Sequence, residues 1–382
     1  MLPLFTVAHF GHHLMMALLP PLLPFIRRDM LLSYTRAGGL VSSYSIAYGI
    51  SQFPAGLAAD RLGSRILLAI GVAGVGLAGL LVGLSPNYIF MALMLVVMGL
   101  AGGGYHPSAS PLVSASVKPG HRGRALGVHQ VGGTASFFLA PLIAAGIASA
   151  LGWRGTFITI AIPTMFLGIV FYLLLGRMGY AGSSGAKVAI ATAVPSQPYD
   201  PLRLLAFVAI GVASMVSLQS TLALIPLYAV DALGATDEQG AALLSVAYFG
   251  GIWGGPLGGY LSDRLGRVPV IIAVGIISGP AIYLLNYASL DATLYAVLLL
   301  MGTTMHVGMP VVESQIISHV SPKRRSTALG LYYTISRGGP TVTILLGRLI
   351  DAYRFSVTLS VVSIVMLTVA AAGTAVLLAR RG

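Results

Sequence analysis

The chain alternates between long apolar runs and short breaks made of Gly, Pro or charge. A bilayer core of about 30 Å takes roughly 20 residues of α-helix. Twelve runs of about that length fit: 3–26, 36–57, 66–84, 87–112, 125–150 and 154–176, then 202–230, 240–261, 268–288, 292–317, 327–350 and 355–379. Between the sixth and seventh, Gly182, Ser183, Ser184, Gly185, Pro195, Ser196 and Pro198 break any helical pattern, so this stretch reads as a linker. The pattern predicts an all-α membrane protein with twelve transmembrane helices in two six-helix bundles. Residues 1–176 and 201–382 form the bundles, and 177–200 form a cytoplasmic linker.

Composition strengthens that picture. Hydrophobic residues make up 56% of the chain and charged ones 8%, against roughly 45–50% and 25% in a soluble domain; mean hydropathy is +0.89. A water-soluble surface cannot be built from this set, so the partner is a lipid bilayer. The first run has no basic leader and ends in Pro20, Pro21 and Pro24, and it is read as a retained helix. The chain has no cysteine, hence no disulfide or thiolate ligand.

A net charge of +12 could suggest nucleic acid, but the basic residues sit in small groups between apolar runs. They set orientation instead. With the N-terminus inside, fifteen Lys and Arg fall in inner loops and the tail, among them Arg61, Arg65, Arg122, Arg124, Arg264, Arg267 and Lys323. Six, Arg27, Arg28, Arg36, Arg154, Arg348 and Arg354, fall near outer ends. That asymmetry predicts both termini in the cytoplasm of a cell-membrane protein.

An internal repeat organises the rest. Gly56-Leu57-Ala58-Ala59-Asp60-Arg61-Leu62-Gly63 returns 203 residues later as Gly259-Tyr260-Leu261-Ser262-Asp263-Arg264-Leu265-Gly266. The same shift carries Met98-Gly99 onto Met301-Gly302, Pro107 onto Pro310 and Ala125-Leu126-Gly127 onto Ala328-Leu329-Gly330. Two related six-helix halves are the architecture of a rocking transporter with its site between them.

The run Gly56 to Arg65 resembles the loop motif of the major facilitator superfamily. Within that superfamily, Gly102-Gly103-Gly104-Tyr105-His106-Pro107-Ser108-Ala109-Ser110, with His129-Gln130-Val131-Gly132-Gly133 and His9-Phe10, resembles the fosmidomycin-resistance group of drug exporters. Ala109 and His13 stand where that group carries acids. The resemblance implies that Gly56, Asp60, Arg61, Gly63 and Arg65, in a tight inner turn, and Asp263 and Arg264 gate the inner side by latching the halves. It also implies an antiporter pattern in the fifth run, where Gly127, Ser136, Ala140, Pro141, Ala144 and Ala145 keep the spacing of that motif.

Polar residues inside apolar runs are the candidates for the work. Glu313 is a carboxylate within such a run, a position expensive enough to mark proton coupling or solute binding. Arg337 lies midway along the eleventh run and needs an acceptor, either Glu313 or an anionic solute. His9, His12, His13, His106, His129 and His306 add a side chain suited to proton relay, and His106 stands out beside Gly102 to Gly104 and Pro107. Gln52, Gln130, Gln219, Tyr44, Tyr48 and Tyr333 could line a cavity. Of these polar residues, His9, His13, His106, Gln130, Glu313, Tyr333 and Arg337 are the expected solute or proton site. His9 and His13, at i and i+4, have metal-ligand spacing, but no third ligand is in view and the reading assigns no metal and no cofactor.

Each lysine follows Val117, Ala186 or Pro322, so no phosphate-binding Gly-Lys-Ser/Thr exists. That excludes an ATP-driven pump and leaves an ion gradient or the solute itself as the energy source; the expected function is a non-enzymatic, monomeric secondary carrier exporting a small organic, anionic or drug-like solute against protons. An uptake carrier or uniporter for an organic anion is the alternative, and an intramembrane metal-dependent hydrolase built on His9 and His13 ranks below both.

Overall fold

The computed structural model describes residues 2–118, 121–178, 200–319, 331–336 and 342–379. Its first half holds α1 (Leu2–Met16), α2 (Leu19–Asp29), α3 (Tyr34–Leu62), α4 (Ser64–Gly83), α5 (Tyr88–Gly102), α6 (Tyr105–Ala115) and α7 (Arg122–Arg177). The second holds α8 (Pro201–Asp231), α9 (Asp237–Leu265), α10 (Arg267–Leu284), α11 (Ala292–His319) and α12 (Thr343–Ala379).

Nine of the described stretches are long and apolar enough to cross a membrane. Two of them, α7 and α12, double back at Gly152 and Arg354, and α3, with Ser42, Ser45, Ser51 and Gln52 buried along it, crosses as well. With α1 and α2 forming one pass and α5 and α6 another, the described residues hold eleven full passes and, in α12 before Arg354, the described part of one more. Large apolar side chains such as Leu93, Phe166, Ile169, Ile364 and Val365 are exposed on the outside, as a hydrocarbon solvent permits.

The backbone repeats with the sequence. Ser33 caps α3 by accepting from the Arg36 amide, and 203 residues on Thr236 caps α9 by accepting from Gln239. Left-handed backbone recurs at Leu31 and Gly234, and again at Gly63 and Gly266, with φ of 84° and 87°. Only these last two residues separate α3 from α4 and α9 from α10, so glycine supplies a one-residue corner. The loop expected around Asp60 is thus mostly helix: Asp60 and Arg61 lie in the last turn of α3, and Arg65 in the first turn of α4.

Helix contacts repeat too. A methyl group on Gly99 of α5 would lie 2.5 Å from the carbonyl oxygen of Tyr44 in α3, and one on Gly302 of α11 would strike the carbonyl of Ala247 in α9, again 203 residues on. Small residues at these places let the helix backbones meet.

The buried cores show how the halves join. One large cluster runs through both, bringing Leu22 and Ile26 of α2 together with Leu222 and Ile225 of α8. Toward the other end it splits. Phe5, Leu68, Tyr105 and Phe171 form a core inside the first half, and Phe207, Ile271, Val311 and Leu377 another inside the second.

Candidate functional site

The joined end is fastened by polar bonds between halves. Arg27 pairs with Asp231 at 3.1 Å and Arg28 with Asp237 at 2.7 Å. Asp351 accepts from the amides of Tyr34 and Thr35 at 2.9 and 2.8 Å and from the Thr35 hydroxyl at 2.6 Å. The Tyr34 hydroxyl donates to Asp231, and Arg27 lies 4.1 Å from the centre of the Tyr34 ring. Deeper in, the Ile344 amide donates to Ser42 and the Ser245 hydroxyl to the carbonyl of Phe138. Sequence reading used these charges only to orient the chain. The available signal was their segregation at one level, bases following the first run and acids near the ends of second-half runs.

Behind this seal lies a cavity of about 210 Å³ lined from both halves. The first half contributes His13, Tyr44, Tyr48, His106 and Gln130, and the second contributes Gln219, Tyr248 and His306. Met16, Met215, Met305 and Met309 supply much of the apolar wall. Thus His13, His106 and Gln130 meet at the cavity as expected, while Tyr248 and the four methionines were missed because nothing in their spacing separates them from ordinary packing residues.

The other expected site residues lie elsewhere. His9 is fully buried beside the cavity. Glu313 is half-buried on α11, two turns beyond His306, and Tyr333 is half-buried with its ring 5.4 Å from that of Tyr332. Arg337 falls outside the described residues. Among the gating residues, Arg61, Asp263 and Arg264 are exposed, and the Asp60 side chain is outside the description, as is the surrounding of Gly56. Arg65 donates to the carbonyl of Tyr172 at 2.9 Å and sits 3.8 Å over its ring, a bond within the first half. Arg264 stacks on Tyr260 of its own helix.

Each histidine is seated by its neighbours. Gly132 brings α7 against the backbone of Thr6 in α1, and a methyl group on Gly133 would lie 2.6 Å from the His9 ring. His9 Nδ1 lies 2.8 Å from the carbonyl oxygen of His129, and His12 Nδ1 lies 2.5 Å from that of Gly71 in the π-turn of α4. A carbonyl only accepts, so Nδ1 carries the proton in both rings. His13 and His106 meet through their Nε2 atoms at 3.1 Å, one donating and the other accepting. In the second half, His306 Nδ1 donates to the carbonyl of Gly302, and the ring packs on Gly251.

A duplicated helical scaffold, joined at one end around a shared cavity, is the framework of an alternating-access carrier. A family model described as Major Facilitator Superfamily matches residues 5–234 and 204–382. The chain belongs to the major facilitator superfamily. Among its relatives is a probable L-galactonate transporter of Escherichia coli (strain K12), 34% identical over 149 residues, which are 39% of this chain and 33% of that protein. The multidrug resistance protein MdtG of Klebsiella pneumoniae (strain 342) is 25% identical over 284 residues, 73% of this chain and 68% of that one. A crystal structure of a POT family transporter with a thioalcohol-conjugated peptide superposes with a TM-score of 0.81 at 13% identity, covering 99% of this chain and 95% of that one. This major facilitator is a multi-pass membrane transporter of small solutes, not an enzyme.

Proposed function

We propose that this major facilitator exports a small organic solute, anionic or drug-like, in exchange for protons. The observation that carries the reading is a cavity shared by two halves that are fastened at one end only. Its polar groups are paired with thioether and aromatic walls, which suits a solute with one charged end and an apolar body. His13, His106 and Gln130 are the solute-facing polar groups in this reading, and Tyr333 and Arg337 of the eleventh pass are assigned to the same path.

The coupling group is Glu313, with His306 above it on the same face of α11. Two protonatable side chains in series on one helix can take a proton from the cavity and pass it on as the halves rock. The segregation of Lys and Arg supports cytoplasmic termini in the inner membrane and hence a state sealed on the outside; the carrier is taken to work as a monomer. Gly56, Asp60, Arg61, Gly63, Arg65, Asp263 and Arg264 then form the inner gate. Export is supported by MdtG and by the likeness of the histidine motifs to the fosmidomycin-resistance group. The galactonate relative supports a second reading, uptake of an organic acid through the same cavity.

The test starts with thermal-shift screening of carboxylates, sulfonates and lipophilic drugs on purified protein, L-galactonate among them. Hits are then followed in proteoliposomes. Glu313→Gln is expected to abolish proton movement driven by the solute while leaving solute counterflow intact. Unchanged proton movement rejects the coupling role, and the direction in which an inward proton gradient drives net solute flux decides between export and uptake.

A further inference from the structure

Carrying an organic solute does not account for the way the first half gathers imidazoles. The rings of His9 and His129 are 4.2 Å apart, His12 and His13 4.7 Å, and His106 lies 5.2 Å from both His9 and His13. Burying that many polar rings for packing alone is costly when Leu or Phe would serve. We propose that His9, His13 and His106 bind a late first-row divalent cation of the Zn²⁺ type.

The geometry is close to what such a cation requires. One ring nitrogen from each of the three lies within 4.8 Å of the others, and the Nε2 atoms of His13 and His106 are 3.1 Å apart. Tetrahedral zinc with bonds of about 2.0–2.1 Å holds its nitrogen ligands roughly 3.3 Å from one another. Closing the remaining gap takes a shift of about 1.5 Å, a side-chain rotation rather than a helix movement. As the metal enters, whichever of His13 and His106 donates across the pair moves its proton to Nδ1, leaving both Nε2 lone pairs on the ion.

His9 is prepared for the role. Its Nδ1–H is held by the carbonyl of His129, which puts the lone pair on Nε2 and fixes the ring, the usual arrangement behind a metal-bound histidine. Gly133 leaves room for that ring and no more. An all-imidazole donor set selects zinc, nickel, cobalt or copper over calcium and magnesium. His13 and His106 also line the cavity, so the fourth coordination position faces the space where a solute resides. The ligands come from α1 and α6 of one half, and the ion would travel with that half as it rocks. The third ligand, 93 residues from His13, is out of reach of any helical spacing rule.

The full-length chain, purified in detergent and stripped with chelator, is titrated with Zn²⁺ by calorimetry and with Co²⁺ by visible absorption. The expected result is one ion per chain, with the intense bands of four-coordinate nitrogen-ligated Co²⁺. His9→Gln, His13→Gln and His106→Gln should each weaken binding at least about tenfold, and Gly133→Ala, which keeps the three imidazoles but crowds His9, should weaken it as well. His319→Gln, at the far end of α11, should bind like the parent. Absence of stoichiometric binding, the spectrum of the hydrated ion, or affinity retained in the three histidine variants overturns the site. Where a histidine variant fails to fold, the parent's Co²⁺ spectrum and the Gly133→Ala titration still decide. None of these readouts involves flux, so the result is independent of whether the exporter reading survives.

Discussion

The two halves build the same helix contact with the larger and smaller partners exchanged. In the first, Ser51 of α3 projects onto Gly103, in the short break between α5 and α6, where an added methyl group would collide with its hydroxyl. In the second, the position 203 residues beyond Ser51 is Gly254 of α9, and the position beyond Gly103 is His306 of α11. The bulk has crossed from one helix to the other, and the helices still pack. Duplication therefore preserves the volume at a contact, while leaving free which helix fills it and with what chemistry. The first half gathers five histidines on α1, α6 and α7, and the second brings a single one, His306, to the cavity.

The largest expected effect tests whether the halves are structurally equal. Gly99→Val and Gly302→Val each force a side chain into a facing carbonyl, and each should cost about 1–3 kcal/mol or prevent folding. Thermal unfolding in detergent reads this, and tolerance of either one alone would break the equivalence. A finer test recreates the second half's solution in the first. Gly103→Ala should lower the unfolding temperature, and adding Ser51→Gly should restore most of the loss. No recovery in the double variant would mean that the exchange of bulk is incidental.

The smallest effect concerns the seal. Asp237→Asn removes the partner of Arg28, whose side chain is 71% exposed, so solvent screening holds the loss to about 1 kcal/mol, roughly a fivefold shift toward the state open at that end. Spin labels on Leu84→Cys and Leu290→Cys, in a chain with no native cysteine, would report the added long-distance population. An unchanged distribution would show that the apolar core at that end holds the halves without the ion pair.

Much of this was legible before any coordinates. Run length predicted the passes, Gly152 ends the fifth where the apolar pattern paused, and the 203-residue shift marked the paired turns at Gly63 and Gly266 but not the paired caps at Ser33 and Thr236. His106 and Gln130 stood out because a polar group inside an apolar run needs a reason, and both line the cavity. The seal was not legible, since pairing Arg27 with Asp231 depends on how two halves approach, which no local pattern encodes. Of the residues on α11, His306 was legible as a polar group in an apolar run, whereas Met309, which lines the cavity beside it, carries no sign in the sequence that separates it from a packing residue.

The corners at Gly63 and Gly266 carry one more implication. A hinge with spare links would absorb a push before passing it along, whereas a single left-handed residue has no play to take up. Whatever tilts α3 tilts α4 in the same instant, and likewise α9 with α10. Lengthening either corner by inserted residues should therefore uncouple the stroke and leave a carrier that still grips its cargo but turns over slowly.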